Sequence, residues 1–289
     1  MAVKGFLKMK VDAIILARGG SKGIPNKNLK LFCGKPLIEW TILQAKKSKR
    51  IGNIFLSSDS KNILKVGLKH KINTIKRPQK YSTDKATSES AIKHFLLSEK
   101  NISNNGIIFL EPTSPLRKKN DLDNLIKDFF DNKWDSGFTA GVLSDFLIWE
   151  KKIKNFKSIN YDYKNRGHRF GRKSCYVENS IAYIFKPYMF LKYNNRLFGK
   201  FGITHNEIWQ SFEIDEPKDW NFVSTIFKSK KLNYFEGSEE NVLDRYYKCV
   251  KKYKSDIIVR ITADCPLIDP NMLDRCLKIF IKKKIDLLV

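Results

Sequence analysis

Asp12-Ala13-Ile14-Ile15-Leu16-Ala17-Arg18-Gly19-Gly20-Ser21-Lys22-Gly23-Ile24-Pro25-Asn26-Lys27-Asn28-Leu29 sets the architecture of the chain. Residues 12–17 form a short apolar run that ends on a glycine-rich loop, the pattern of a strand buried in a parallel sheet. In α/β proteins ligands gather at the carboxyl ends of such strands. Glycines let the backbone approach a phosphate chain and turn successive N–H groups toward it. Arg18, Lys22 and Lys27 place three cations in one loop, matching the charge of a triphosphate. The pattern is neither GxxxxGK[ST] nor GxGxxG, which disfavours a P-loop NTPase and a dinucleotide site.

Outward from this loop, Leu37, Trp40, Thr41 and Leu43 lie at helical spacing and predict a helix over 36–49. Strands follow at 53–57, 72–75 and 106–110. Helices are expected at 61–69, at 88–98 with Ser88-Glu89 as its cap, and at 121–130 after a proline-rich turn. Strands alternating with helices at this pace define an α/β domain with a mostly parallel sheet. Residues 146–176 mix aromatics with cations and hold no period, so they read as an arm. Strands at 180–185 and 212–215 and a helix at 217–227 complete the domain.

The tail echoes an earlier stretch. Ile107-Ile108-Phe109, then Pro115-Leu116, then an apolar helix return as Ile257-Ile258-Val259, Pro266-Leu267 and a helix over 272–280. Ser88-Glu89 is echoed by Ser238-Glu239 ahead of a helix over 241–253. Residues 233–289 therefore read as a partial second unit of similar type. It lacks its own first strand and glycine loop and is not expected to bind a nucleotide alone. The expected organisation is a first domain over 1–232, with an arm at about 145–176, and an incomplete unit over 233–289.

Composition narrows the class. The 289 residues are 42% hydrophobic and 12% aromatic, enough for a real core and too apolar for a disordered chain. No run approaches the roughly 18 apolar residues of a membrane span. The apolar run at 11–17 is cut by Asp12 and leads into Arg18, so a secretory signal is not expected. Five scattered cysteines (Cys33, Cys175, Cys249, Cys265, Cys276) without a CxxC pair fit reduced thiols in a cytoplasm. Lys and Arg outnumber Asp and Glu 55 to 30, a net charge of +25 that draws polyanions. The lysines are spread along the whole chain and no nucleic-acid motif accompanies them. A compositional bias is the better account than a nucleic-acid footprint.

The glycine loop resembles the signature of the CMP-sugar synthetases, the acylneuraminate cytidylyltransferases. The likeness continues through Arg77-Pro78 with Asp84, Leu110-Glu111-Pro112-Thr113-Ser114-Pro115-Leu116-Arg117, Glu178-Asn179-Ser180-Ile181-Ala182-Tyr183-Ile184-Phe185 and Phe212-Glu213-Ile214-Asp215, four motifs in family order over 11–227. It implies a Rossmann-like nucleotidyltransferase fold. It also implies transfer of CMP from CTP to the anomeric hydroxyl of a sialic-acid-type nonulosonate, with release of pyrophosphate. By the same resemblance, Arg18, Ser21, Lys22 and Lys27 hold the triphosphate, and Lys27 and Asp215 are the catalytic pair. Asn28 and Arg77 contact cytosine or ribose, with Asp84 beside them. Glu111, Arg166, Arg169 and Asn179 face the sugar. Glu213 and Asp215, two apart on an expected strand and so on one face, hold Mg2+. The partners are CTP and the sugar acid, without nucleic acid or membrane. A cytoplasmic homodimer built through the arm is implied.

Several positions depart from the family pattern. Glu111 stands where relatives commonly have glutamine, Glu213 where they have aspartate, Phe170 replaces a polar residue in the basic run 166–172, and Ser180-Ile181 replaces Gly-Ser or Gly-Ala. Two other readings follow: a related sugar nucleotidyltransferase with another substrate, and a catalytically decayed nucleotide-binding module. The tail, with Asp264 near Pro266, resembles the interior of the spore-coat-polysaccharide cytidylyltransferase-like proteins.

Overall fold

β1 (Val11–Leu16) lies at the centre of the molecule. Its alternation sends Val11, Ala13 and Ile15 into one apolar cluster and Ile14 into another, on opposite faces of the sheet. Asp12, which interrupts the apolar run, is buried, and its carboxylate accepts backbone N–H bonds from Asn53 and Ser103, each at 2.8 Å. That pairing explains how a charge sits inside the first strand. The computed structural model describes residues 10–143, 146–168, 174–230, 241–254, 256–259 and 269–283. The chain divides into two compact units, Met1–Leu232 and Asn233–Val289.

The first unit continues with a two-strand turn, β2 (Leu31–Phe32) and β3 (Lys35–Pro36), then α1 (Leu37–Lys47), β4 (Ile51–Ser58), α2 (Lys61–Lys69) and β5 (Asn73–Lys76). Next come α3 (Ser88–Ser98), β6 (Ile107–Leu110), α4 (Asp121–Asp131) and β7 (Ser136–Leu143). A short hairpin of β8 (Trp149–Lys151) and β9 (Phe156–Ser158) precedes β10 (Cys175–Phe185), α5 (Pro187–Tyr193), β11 (Phe201–Asn206) and α6 (Pro217–Ser229). The sheet has seven strands in the order β11-β7-β10-β6-β1-β4-β5. Its strands pair in parallel except β10, which runs antiparallel to both β6 and β7. This is the mostly parallel sheet the sequence predicts.

Some expectations change. The cap of α3 is Thr87, whose hydroxyl accepts from the Ser90 N–H at 3.2 Å; Ser88 is already in the helix. Residues 212–215 are not a strand. Ile214 makes a single backbone bond, to the Thr113 carbonyl at 2.9 Å, and its own carbonyl is taken by a side chain, so no ladder forms. The arm contains the β8–β9 hairpin, and β7, α5 and β11 had no clear period in the sequence.

In the second unit, α7 (Val242–Tyr253) is capped by Asn241, whose side chain accepts from Asp244 N–H at 2.9 Å, and α8 (Pro270–Lys283) follows. Residues 257–259 are exposed and form no strand, so the echo of β6 is one of sequence only. Residues 231–240 and 260–268, with Ser238, Asp264 and Pro266, lie outside the described residues. No helix among the described residues is long and apolar enough to cross a membrane.

Candidate active site

The loop after β1 is folded against the 214–215 segment. Asn26 adopts a left-handed φ of 52°, and its carbonyl accepts N–H bonds from Leu29 (2.8 Å) and Lys30 (3.0 Å). The tight turn so formed drives Lys27 inward. Its ammonium donates to the Ile214 carbonyl at 2.7 Å and to Asp215 Oδ1 at 2.9 Å. Lys27 is buried, whereas the Asp215 side chain stays two-thirds open to solvent. A Cβ on Gly23 would lie 2.3 Å from the Asp215 carbonyl oxygen. On Gly19 it would lie 2.9 Å from Ser60 Cβ, and the Gly19 N–H donates to Asp59 Oδ1 at 2.9 Å. These two glycines therefore serve an approach of protein to protein, not of backbone to phosphate. Gly20 alone of the first pair faces open space.

The three loop cations are not one cluster. Arg18 and Lys22 stand on the outer rim and share Asp84, at 2.8 and 3.0 Å, while Lys27 lies beneath. Hydrogen bonding from Lys22, with further help from Arg18, holds the Asp84 carboxyl below the usual aspartate range. Asp84 thus pairs with the loop and not with Arg77. Arg77 is buried, donates from Nε to Ser82 Oγ at 2.9 Å, and has its pKa lowered by burial. Asn28 is buried and its amide donates to the Arg18 carbonyl at 3.1 Å, which ties the loop together. Ser21 is partly exposed. A cavity of about 270 Å³ opens beside the rim, lined by Arg18, Arg77, Tyr81, Ser82, Asp84 and Ser88 among others. Within the 82–88 segment the sequence marks Asp84, through the family resemblance, and Ser88, as an expected cap, whereas nothing in its composition marks Ser82 as part of a pocket wall.

Asp84 occupies the two rim cations that a triphosphate would engage. Asp84→Asn is therefore expected to lower the KM for CTP by up to roughly fivefold at low ionic strength, an effect that fades as salt screens the rim. Steady-state kinetics at two salt concentrations measures it; a KM that rises instead would make Asp84 a nucleotide ligand.

Behind the rim, Glu111, just after β6, feels the negative charge of Glu213 and, more weakly, of the solvent-open Asp215 on the 212–216 segment. Glu213 Oε1 accepts the Ser180 N–H at 3.2 Å. Burial raises the Glu213 pKa, with Asp215 adding to it. Burial, helped by Glu213 and to a smaller degree Asp215, pushes the Glu111 carboxyl up to about 7 against the pull of Arg196 and Arg117. Two arginines frame the group. Arg117 is buried and donates to the carbonyls of Ile181 and Glu111, both at 2.7 Å, and to Thr41 Oγ1 at 3.2 Å. Burial lowers its pKa to about 10, so it stays charged at neutral pH. Arg196, from the turn after α5, donates to Glu89 at 2.7 Å and lies 3.5 Å from Glu111 Oε1. Neither arginine was assigned a role from the sequence. Arg117 sat inside a recognised motif, and Arg196 in a stretch without a period.

Of the other expected sugar ligands, Asn179 is buried, bonded through Oδ1 to Thr139 Oγ1 at 2.6 Å and through Nδ2 to Ser211 Oγ at 3.3 Å, and braces the irregular part of the β10–β7 pairing. Arg166 is exposed in the arm. Arg169 and Phe170 lie outside the described residues.

A carboxyl with a raised folded pKa binds its proton more tightly in the folded than in the unfolded chain. The folded state is thus penalised as pH rises from about 4.5 to about 7, and the penalty is complete above that window. Glu111→Gln is expected to remove it, raising the Tm by roughly 2–6 °C at pH 8 and by little at pH 4.5. Thermal unfolding across that range, without added metal, gives the answer; a pH-independent difference between the two proteins would contradict it.

The donor set fits a magnesium ion in one respect. Glu213 and Asp215 supply two carboxylates from one segment, and magnesium takes one or two carboxylates beside substrate phosphates. Among the described residues, no group of three or more His, Cys, Asp or Glu forms a metal cage by itself.

A basic rim, a buried lysine and a carboxylate cluster at the carboxyl ends of β1 and β6 define a nucleotidyltransferase-type site on this sheet. The chain belongs to the cytidylyltransferase family, whose model matches residues 13–236 and, in a second match, 215–285. It is 30% identical over 229 residues to the post-translational flagellin modification protein B of Campylobacter coli, covering 75% of this chain and 95% of that protein. It is 30% identical over 239 residues to the pseudaminic acid cytidylyltransferase of Campylobacter jejuni, covering 76% and 97%. The N-acylneuraminate cytidylyltransferase of Streptococcus agalactiae is 37% identical over 200 residues, 63% of this chain and 48% of that one. In fold the chain is similar to the CMP:2-keto-3-deoxy-manno-octonic acid synthetase complexed with CTP, with a TM-score of 0.57 at 13% identity over 76% of this chain and 99% of that one.

Proposed function

We propose that this cytidylyltransferase moves CMP from CTP to the anomeric hydroxyl of a nonulosonate, with pseudaminic acid the first choice of substrate and N-acylneuraminate the second. The observation that carries the reading is the Lys27–Asp215 pair, set between the basic rim and the Glu111–Glu213 carboxylates. Nearly the whole length of the pseudaminic acid enzyme is matched, against about half of the N-acylneuraminate enzyme, which supports that order.

In this reaction the anomeric oxygen attacks the α-phosphorus, the bond from phosphorus to the bridging oxygen of the β-phosphate breaks, and pyrophosphate leaves with the electron pair. The hydroxyl proton passes to solvent water as the new phosphorus–oxygen bond forms. Arg18 and Lys22 would exchange Asp84 for phosphate oxygens and orient the triphosphate. Arg77 and the 82–88 segment would enclose the nucleoside. Lys27, held in a low-dielectric site by Ile214 and Asp215, would face the charge that develops on the transferring phosphoryl group. Glu213 and Asp215 would hold Mg2+, which neutralises phosphate charge when bound.

We extend the proposal to a cytoplasmic homodimer joined through the arm, where Phe146, Trp149, Phe156 and Tyr163 are all exposed beside the β8–β9 hairpin. Light scattering on the full chain tests that; a monomer at micromolar concentration would remove it.

The decisive experiment is product analysis after mixing the protein, CTP and magnesium with pseudaminic, legionaminic or N-acetylneuraminic acid. A CMP-sugar formed from pseudaminic acid is the expected result. Turnover only with UTP or with a polyol phosphate would point to another nucleotidyltransferase. CTP affinity without turnover on any acid would favour a decayed binding module.

A further inference from the structure

Arg196 is the largest piece of this site that the reaction as described leaves unused. It stands just after α5, is mostly buried, and gathers groups from three separate elements. Its guanidinium carbon sits 4.7 Å from the centre of the Tyr183 ring on β10 and 5.1 Å from that of Phe109 on β6. Its Nε donates to Glu89, in the first turn of α3, at 2.7 Å, and its Nη1 lies 3.5 Å from Glu111 Oε1. Tyr183 is in turn fixed through its hydroxyl, which donates to Glu178 Oε1 at 2.8 Å. An arginine clamped on two aromatic faces with its fork aimed at two carboxylates has little rotational freedom, and a fixed fork sets the direction of its partners.

Glu111 needs such a partner. Its carboxylate is beside Glu213 and, further off, Asp215, and an incoming sugar acid adds a carboxylate of its own. Arg117 approaches Glu111 chiefly through the backbone carbonyl, at 2.7 Å. Among the described residues, Arg196 is the cation placed within ion-pair distance of the Glu111 side chain.

We propose that Arg196 is a positioning residue of the sugar-acid pocket: anchored by Glu89 and stacked on Phe109 and Tyr183, it holds the Glu111 carboxylate in place as a hydrogen-bond acceptor for hydroxyl or acylamino N–H groups of the substrate. The substrate class is thus a polyhydroxylated or acylamino sugar acid that turns donors toward Glu111 and its own carboxylate elsewhere. The inference rests on the sugar-acid reading above and adds to it the residue that makes Glu111 usable.

The test is a double-mutant cycle on the full chain: wild type, Arg196→Met, Glu111→Gln and the double variant. Methionine keeps apolar contact with the two rings and removes the charge. Each protein is assayed with CTP and magnesium against pseudaminic acid and N-acetylneuraminic acid. Arg196→Met is expected to raise the KM for the accepted acid at least tenfold with the KM for CTP within twofold of wild type. Glu111→Gln is expected to raise the same KM by a similar factor, and adding Arg196→Met to it is expected to raise it no more than about twofold further, because the carboxylate that Arg196 positions is already gone. A residue that only packs would cost the same in both backgrounds. The proposal is overturned if Arg196→Met costs as much in the Glu111→Gln background as in wild type, or if the KM for CTP rises in step. If wild type turns over neither acid, the sugar-acid reading itself fails and takes this one with it; turnover by wild type with an additive cycle sinks the role of Arg196 alone.

Discussion

Lys27→Ala is expected to lower kcat by roughly a thousandfold or more, the largest single effect on catalysis in this protein. The ammonium is buried and faces a segment that carries two of the three site carboxylates. A charge in such surroundings acts on a developing phosphoryl charge with far less screening than a surface lysine would. The same substitution removes two hydrogen bonds, to Ile214 and Asp215, and so loosens the loop from the 214–215 segment. The cost to stability should be about 1–3 kcal/mol, small beside the effect on rate. Pyrophosphate release gives kcat, calorimetry gives CTP affinity, and thermal unfolding reports the fold. A folded variant with kcat within tenfold of wild type would take Lys27 out of the chemistry.

The largest effect on stability is expected from Arg117→Met. Arg117 joins α1, the end of β6 and the irregular part of β10 through bonds to Thr41, Glu111 and Ile181. Methionine fills much of the same volume, but it takes the Arg117 bond from the Ile181 carbonyl, leaves the Glu111 carbonyl with only a long bond from the Ser114 N–H at 3.4 Å, and removes a buried positive charge that faces Glu111 and Asp121. Breaking such a buried arrangement costs about 3–5 kcal/mol. For a unit of this size that is a fall in Tm of roughly 6–20 °C. Thermal unfolding of the full chain measures it, and a shift under about 2 °C would show that the arginine is dispensable to the scaffold. The two predictions separate cleanly: the lysine variant folds and fails to turn over, whereas the arginine variant loses the frame that carries the site.

The match between sequence and structure follows a physical line. β1, β4 and β6 lie side by side in the middle of the sheet and are largely buried, so each carries an apolar run that is visible in one dimension, whereas β5 at the sheet edge buries only Ile75. The helices α2, α3 and α4 bury one face and expose the other, which leaves a period of 3.6. β7 and β11 carry Gly137, Gly141 and Gly202, with Trp134 and Ile208 close against those glycines. Their packing is completed by side chains from elsewhere in the chain, so their own sequences look irregular. The 212–215 segment reads as a strand because it alternates, yet its backbone is held by Thr113 and Lys27 and finds no neighbour to pair with.

Periodicity along the chain determined the α/β class, the order of the central elements and the basic loop after the first strand, because these rest on residues close together in sequence. The motifs carried only a resemblance to the cytidylyltransferases, which the family match then established. It took the folded chain to show that Lys27 turns inward while Arg18 and Lys22 share Asp84, that Gly23 admits the Asp215 backbone, and that Arg117 and Arg196 frame Glu111. Apart from the Arg117–Glu111 contact, which is local, these facts join residues from about 60 to about 190 positions apart. Ion pairs and buried hydrogen bonds depend on distance in space and on exclusion of water, and neither is written in the spacing of residues along a chain.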